Sequence, residues 1–411
     1  MNTEKTSTRR KMREVIEDIF YIFSQENRMT YRDTGVMIFF VLVPLLYPLL
    51  YSYIYNPEVV RKVPIAVVND SGSSLSRDYL RRVNATPDVE VIAYCANMSE
   101  AQEMMRSHKA HGIVYIPEDF DTNLNLGRQS TVSLYCDMSG LLYYKSIVIA
   151  NTNASLEMNK EIKIARGGKT TDREEEILSY PVEYEEVALF NPTSGFASFL
   201  LPAVLILIIQ QTLLLGVGLS AGTIRERNRS GSIIPSNIHY SGPLRIVIGK
   251  GMSYFIIYSL IGCYTLCIVP WLFDFVHIGN PMAFFAFLMP YLSACVFFAM
   301  TCSVLIRNRE TGMMIFVFTS VPLLFLSGIS WPGTSIAPFW KYLSYLFPST
   351  FGINGFVKIN NMGAELSSIS TEYIALWTQA VIYFATTYMV YRWQKRKALK
   401  HASQTAQSEK G

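Results

Sequence analysis

The residue types that chemistry would need occur here only in fragments. His108 and His111 lie three residues apart, with no cysteine or carboxylate at ligand spacing, so no metal site is assigned. No Ser-His-Asp, Cys-His or paired-carboxylate arrangement can be argued, and no catalytic residue is assigned. A phosphate-cradling loop requires G-x-x-x-x-G-K-[ST]. The nearest sequence, Gly249-Lys250-Gly251, lacks both the hydroxyl residue and a glycine at the right distance. The chain offers two other groups instead. Arg225, Glu226, Arg227 and Arg229, followed by Ile233 and Ile234, form a charged turn with an apolar continuation. Gln210, Gln211 and Thr212 interrupt a stretch, Val187 to Ile224, that carries no charge. The first group reads either as a contact surface for another macromolecule or as a basic loop that serves topology alone. The second reads either as a polar lining or as hydrogen bonding between helices in apolar surroundings.

The elements that hold these groups follow from composition. Of 411 residues, 50 % are hydrophobic and 17 % charged, against about 25 % charged in soluble domains. Uncharged runs cover Thr34 to Pro57, Val187 to Ile224, Gly251 to Phe273, Phe275 to Ile306, Thr311 to Trp340 and Tyr373 to Tyr391. Each is long enough for a helix to cross a bilayer of roughly 30 Å. The fold class expected is an α-helical membrane protein with six transmembrane helices and an inserted extracytoplasmic α/β domain. Lys and Arg number seven in residues 1 to 35, five from Ala221 to Lys250 and six from Arg392 to Gly411, while the Asp274 to Pro281 loop has none. By the positive-inside rule both termini are cytoplasmic. The net charge of +4 is then a topology signal, and no basic patch suggests nucleic acid. The first run is expected to be retained as a helix kinked at Pro44 and Pro48, since no small-residue cleavage site follows it.

In chain order, residues 1–35 form a cytoplasmic segment in which Met12, Val15, Ile16, Ile19, Phe20 and Phe23 share one helical face. Arg13, Glu14, Glu17 and Asp18 lie opposite. That pattern suits an interfacial helix, the alternative being a solvated one. Residues 36–54 are the first crossing. Residues 55–190 alternate strand and helix: VPIAVVND, SSLSRDYLRRV opened by a serine cap, DVEVIAY, SEAQEMMRSHK, HGIVYIP, a strand from Thr131 to Cys136, a long helix from Leu141 to Arg166, and VEYEEVAL. Cys95 and Cys136 could bridge if their strands are neighbours, whereas Cys263, Cys267, Cys295 and Cys302 fall in crossings as packing residues. Residues 191–391 hold crossings two to six, with the charged turn at 225–245. The aromatic, proline-rich stretch 328–361 reads as short re-entrant or interfacial helices at the outer surface. Residues 392–411 form a polar cytoplasmic tail, expected to be disordered from Gln394 onward.

These features together resemble the permease subunit of a type-2 ABC exporter, in the subgroup with a large extracytoplasmic domain between the first two transmembrane helices. The residues that carry the resemblance are NPTSGF (Asn191 to Phe196), the Arg225-Glu226-Arg227 turn, VPIAVVND, the segment from Ser327-Gly328 to Thr350, and Glu26, Arg32, Asp33 and Pro44 around the first crossing. One departure stands out. The family's turn carries further acidic residues where this chain has Asn228, Arg229 and Ile233. The resemblance implies a dimeric permease with a separate nucleotide-binding ATPase that holds ATP and Mg, this chain binding no cofactor of its own. It implies ATPase coupling at Arg225, Glu226, Arg227, Arg229, Ile233 and Ile234, through a short helix around Ile233 to Ile238, with help from the interfacial helix at Glu26, Arg32 and Asp33. It implies a path past Gln210, Gln211 and Thr212, and an outer gate of Gly328, Trp331, Pro332, Phe347 and Pro348. The implied partners are the ATPase, a second permease copy or paralogue, membrane lipid and a periplasmic adaptor. The implied location is the bacterial inner membrane, and the cargo is amphiphilic or drug-like. The alternative is a non-transporting scaffold or receptor of the same topology. No carboxylate lies within a crossing, which argues against a proton-driven antiporter.

Overall fold

The computed structural model describes residues 2–167, 194–228 and 242–408, with positions 171, 173, 174, 177, 187, 189–192, 232–234 and 240 between them. Arg229, most of VEYEEVAL and the greater part of the helix expected around Ile233 to Ile238 lie outside the described residues. The chain divides into two units, Met1–Glu58 with Leu189–Gly411, and Val59–Ala188.

The first unit begins with helix α1 (Asn2–Arg32), longer than the expected amphipathic segment, and helix α2 (Thr34–Tyr55). The two meet at Asp33, whose Oδ1 accepts hydrogen bonds from the backbone N–H groups of Gly35 (3.1 Å) and Val36 (3.3 Å) and so caps α2. A π-turn at Ile38–Leu42 sits ahead of Pro44, where the proline cannot donate to the preceding turn.

The second unit is the α/β domain. Its strands are β1 (Val63–Asn69), β2 (Val89–Cys95), β3 (Gly112–Ile116) and β4 (Ser133–Cys136). They lie in the order β2-β1-β3-β4, parallel except for β4 against β3. The helices are α3 (Ser74–Ala85), α4 (Met98–Arg106), α5 (Phe120–Asn125) and α6 (Leu141–Gly167). Ser73 Oγ accepts from the N–H of Ser76 at 3.1 Å and starts α3, as the sequence suggests. Central strand β1 is buried on both faces, which accounts for its unbroken apolar run. Val63, Ile65 and Val67 pack with Leu80 and Val83 of α3 and Ile147 and Ala150 of α6, while Ala66 and Val68 pack with Ala101 of α4. The strand order also settles the cysteines. Cys95 and Cys136 lie on opposite edge strands and both are free thiols.

The first unit resumes with α7 (Phe196–Arg227), α8 (Pro243–Leu272), α9 (Pro281–Cys302), α10 (Arg309–Leu326), α11 (Pro338–Ser344), α12 (Pro348–Met362) and α13 (Ser370–Ser408). Among the described residues five helices, α2, α7, α8, α9 and α10, are long and apolar enough to cross a membrane. The run expected as a sixth crossing, Tyr373 to Tyr391, lies in α13 and falls outside that set. Its polar residues are used on α9: Thr301 Oγ1 lies 3.1 Å from Thr386 Oγ1 and 2.9 Å from that of Thr387, which itself donates to the carbonyl of Phe297 at 3.0 Å. Helix α13 also continues through Ser408, replacing the disorder expected from Gln394, because the tail is rich in Gln, Lys, Arg and Ala, which favour helix. Helix α7 is the central element. In its most apolar stretch 94 % is buried, against 11 % for α10. At Gly216 of α7 a Cβ would stand 1.9 Å from Phe40 Cδ2, so only glycine lets α2 approach this closely.

In the α/β unit, Arg82 of α3 ties two helices together. It donates to Glu161 of α6 at 2.7 Å and to Asp78 at 2.8 Å, and lies 3.6 Å from Glu157. The hydrogen bond from Arg82, more than any other cause, holds the Asp78 carboxyl below the usual carboxylate range. This contribution is present at neutral pH and is lost as pH falls through the folded value of Asp78, below its ordinary pKa of about 3.9. Arg82→Ala is expected to cost about 1 kcal/mol. Hydrogen exchange at neutral pH should show faster exchange in α3 and α6 with α7 to α9 unchanged, and the difference from the parent protein should shrink in acid.

Candidate functional site

The charged residues of α1 and of the turns after α7 and α9 gather around the ends of the long helices. Gly249 in α8 makes the first contact possible. A Cβ there would lie 2.8 Å from Ile22 Cγ2 and 3.0 Å from the carbonyl oxygen of Ile19, so α1 and α8 meet backbone to backbone. The face of α1 that this contact buries carries Ile22, Glu26 and Thr30 at four-residue spacing. Asp18, expected on the solvent face, lies on the same stripe and pairs with Arg245 Nη1 at 2.5 Å. Ile16 and Phe20, half or more exposed, point away from the bundle. The helix therefore turns an ionic stripe inward and leaves part of its apolar face uncovered.

At the centre of that stripe, Glu26 Oε2 lies 2.8 Å from Lys250 Nζ, both side chains being almost wholly buried. The other carboxylate oxygen accepts from the hydroxyl of Tyr254 and from Ser220 Oγ at 3.3 Å. One turn along, Ser253 Oγ donates to Asn27 Oδ1 at 2.9 Å. Tyr240, also buried, has its phenol pushed up to about 12 chiefly by burial and remains protonated. A charge pair this deep is costly, and the hydroxyls of α7 and α8 offset part of that cost by bonding the carboxylate oxygen turned away from Lys250.

A second group forms at the α1–α2 elbow. Asp33 Oδ2 accepts from Thr223 Oγ1 of α7 at 3.1 Å and pairs with the guanidinium of Arg309 at the start of α10. The backbone N–H of Arg309 donates to Glu226 Oε1 at 3.2 Å. Arg225 turns inward, donating to the carbonyl of Ile306 at 2.6 Å and that of Val304 at 2.9 Å, and so holds the α9–α10 connection against the end of α7. One cluster thus joins α1, α2, α7, α8 and α10.

The residues singled out in the sequence separate accordingly. Glu26 and Asp33 are in the cluster, while Arg32 is exposed and outside it. Of the coupling group, Glu226 and Arg227 are exposed, Arg225 holds backbone carbonyls, and Ile233 and Ile234 are buried in the helical core. Gln210, Gln211 and Thr212 are all buried. Gln210 Oε1 accepts from the N–H of Ser349 at the start of α12 (2.6 Å), Gln211 lies 3.4 Å from Thr319 Oγ1 of α10, and Thr212 bonds the carbonyl of Ile208 at 2.7 Å. All three use polar atoms on neighbouring helices or backbone. In the 328–361 stretch, Gly328 has φ +86°, Trp331 and Pro332 are exposed, and Phe347 packs edge-on against Phe298 (5.8 Å) just before Pro348 opens α12. Sequence reasoning missed Lys250, Tyr254, Ser220, Thr223 and Arg309 as partners. The available signal was a lysine between two glycines inside an otherwise apolar helix.

A family profile described as "ABC-2 family transporter protein" matches residues 35–389. The chain is also similar to the linearmycin resistance permease protein LnrN of Bacillus subtilis (strain 168), 24 % identical over 348 residues that cover 78 % of this chain and 86 % of the relative.

Lys250→Met leaves a buried carboxylate unpaired and is expected to destabilise the protein by about 3–5 kcal/mol. The double variant Glu26→Gln with Lys250→Met removes both charges and should recover most of that loss. Thermal denaturation of the purified variants in one detergent measures both. Equal loss in the single and double variants would show that the stability comes from the pair itself and not from avoiding an unpaired buried charge.

Proposed function

Because this chain belongs to the ABC-2 transporter family, we propose that it is the membrane-spanning permease subunit of an ATP-driven exporter, paired with a separate nucleotide-binding ATPase and working as a dimer. The match across residues 35–389 carries this reading. These 411 residues hold no phosphate-cradling loop, so the energy of hydrolysis enters from outside them, here assigned to a separate subunit. The relative is named for linearmycin resistance, which favours outward movement of a toxic compound, here assigned to an amphiphilic or drug-like molecule. The lysine and arginine distribution assigns the α1 cluster and both termini to the cytoplasmic side of a bacterial inner membrane, with the α/β unit outside.

The ionic cluster then suggests how a push would travel. Glu226 and Arg227 are the exposed members of the coupling turn, and Glu226 touches Arg309, which is paired with Asp33. Force applied at this turn would reach α10 through the bond of Glu226 to the Arg309 backbone, and α1 and α2 through the Arg309 guanidinium on Asp33. A second copy is assigned to α10, whose Met314, Val317, Phe318 and Val321 form an uncovered apolar face. On this reading Gln210 and Gln211 set the packing of α7 on α12 and α10, and substrate selection lies elsewhere on those helices.

Purification with the candidate ATPase subunit tests the proposal. The complex should survive mild detergent, and this chain should raise ATP hydrolysis. Arg227→Glu should cut the stimulated rate by roughly tenfold, a loss of about 1.4 kcal/mol of coupling, with the melting temperature of the permease unchanged. Absence of a stable complex together with full function in the Arg227→Glu variant would favour the scaffold reading instead.

A further inference from the structure

The α/β unit contains a cleft to which the transport reading gives no task. It lies between α6 on one side and α3, α5 and the chain from Ser130 into β4 on the other, and its volume is about 300 Å3. That is the lower end of the range occupied by small-molecule sites. Along α6, Asn151, Thr152, Ser155 and Asn159 border the cleft, set among Val148, Leu156, Met158 and Ile162 of the same helix, so that this wall supplies polar groups along an otherwise apolar surface, with Ser130 across from it. The facing side is apolar, with Phe120 and Leu124 of α5 and Val132 and Leu134 at β4.

We propose that this cleft binds an uncharged single-chain amphiphile, its hydroxyl-bearing edge against α6 and its hydrocarbon against α5 and β4. No carboxylate, lysine, arginine or histidine borders the cleft. Its one ionisable group, the phenol of Tyr79, is pushed up to about 12 by burial and stays neutral. A charged ligand would lose water there and find no counter-charge. A pure hydrocarbon would cover Thr152, Ser155 and Asn159 of α6 without offering them a partner, whereas Asn151 is already bonded to Tyr79 and the carbonyl of Ile147. Ser130 gives a further indication, since its hydroxyl oxygen is shielded from solvent and has no hydrogen-bond partner among the described residues.

The walls are held before any ligand arrives. Tyr79 Oη donates to the carbonyl oxygen of Asn151 at 3.3 Å, which fixes α3 against the middle of α6. Arg82 joins the same helices through Glu161, and Arg166 donates to the carbonyl of Leu124 at 2.5 Å, fixing the end of α5 to the end of α6. A preformed cleft spares the ligand the cost of ordering its walls. The inference does not depend on export, and would hold in a chain that moves nothing.

A diazirine derivative of decanol, irradiated with the full chain in phosphatidylcholine nanodiscs and mapped by mass spectrometry, tests it. Adducts are expected within residues 120–134 and 148–162. Decanol should compete for them roughly tenfold better than decanoate. Ser155→Phe, which fills the cleft, should abolish them. If that variant does not elute as a folded species, Thr152→Val with Asn159→Leu keeps the volume, removes two polar groups and should weaken competition by roughly tenfold. Adducts confined to the uncovered apolar faces of α2 and α10 and unchanged by either variant would mean partition into the bilayer alone and would overturn the proposal. Cleft adducts displaced equally well by decanol and decanoate would overturn its restriction to uncharged ligands.

Discussion

The helical unit depends on a buried ion pair. Glu26 and Lys250 are the ends of a link between a helix that precedes the first crossing and one in the middle of the bundle, and they meet where water does not reach. Two isolated charges in such a place would be too costly to keep. They are tolerated because Tyr254 and Ser220 complete the carboxylate's hydrogen bonds and because Gly249 lets the two helices close to contact distance. Helix α1 therefore packs as part of the bundle, with Ile16 and Phe20 facing outward.

The same logic runs through the elbow. Asp33 has three tasks in one carboxylate: it caps α2 with one oxygen, and with the other it takes a hydroxyl from α7 and the guanidinium that begins α10. Arg225, next to the exposed turn, is spent on the carbonyls of the α9–α10 connection. Mechanical continuity in this chain is thus made of short charged contacts at helix ends, with α7 as the shaft between them. Few apolar contacts would resist a displacement as sharply, since dispersion forces are weak for any one pair of atoms and have no preferred direction.

Much of the architecture could be read from residue order. The uncharged runs located α2, α7, α8, α9 and α10, because crossing a bilayer imposes a length and an absence of charge that nothing else in a chain imitates well. The alternation from Val63 to Cys136 announced the α/β unit, and the serine before Ser74 announced the start of α3. The α13 run reads as a crossing, but Gln379 lowers its hydropathy while donating to the carbonyl of Tyr345, and Thr386 and Thr387 serve as contacts to α9. The amphipathic face of α1 was assigned by counting apolar residues, which placed Asp18 toward solvent. Pairing with Arg245 reverses that assignment, and the partner is 227 residues away.

What the sequence alone determined, then, was the set of elements and the kind of surface each must present, since hydropathy, capping and spacing act within a few residues of one another. It also marked Gln210, Gln211 and Thr212 as polar groups in places that demand a reason, while Glu26 and Asp33 entered only through the family resemblance. Tertiary structure decided which partner supplies that reason: Lys250 for Glu26, Arg309 for Asp33, Ser349 for Gln210 and Thr319 for Gln211. The choice of Lys250 and Arg309 depends on how closely two helices can approach, which is set by the absent side chains of Gly249 against α1 and of Gly222, where a Cβ would stand 3.0 Å from the backbone nitrogen of Arg309. A distance of that kind is a property of the packed bundle, and no local pattern of residues records it.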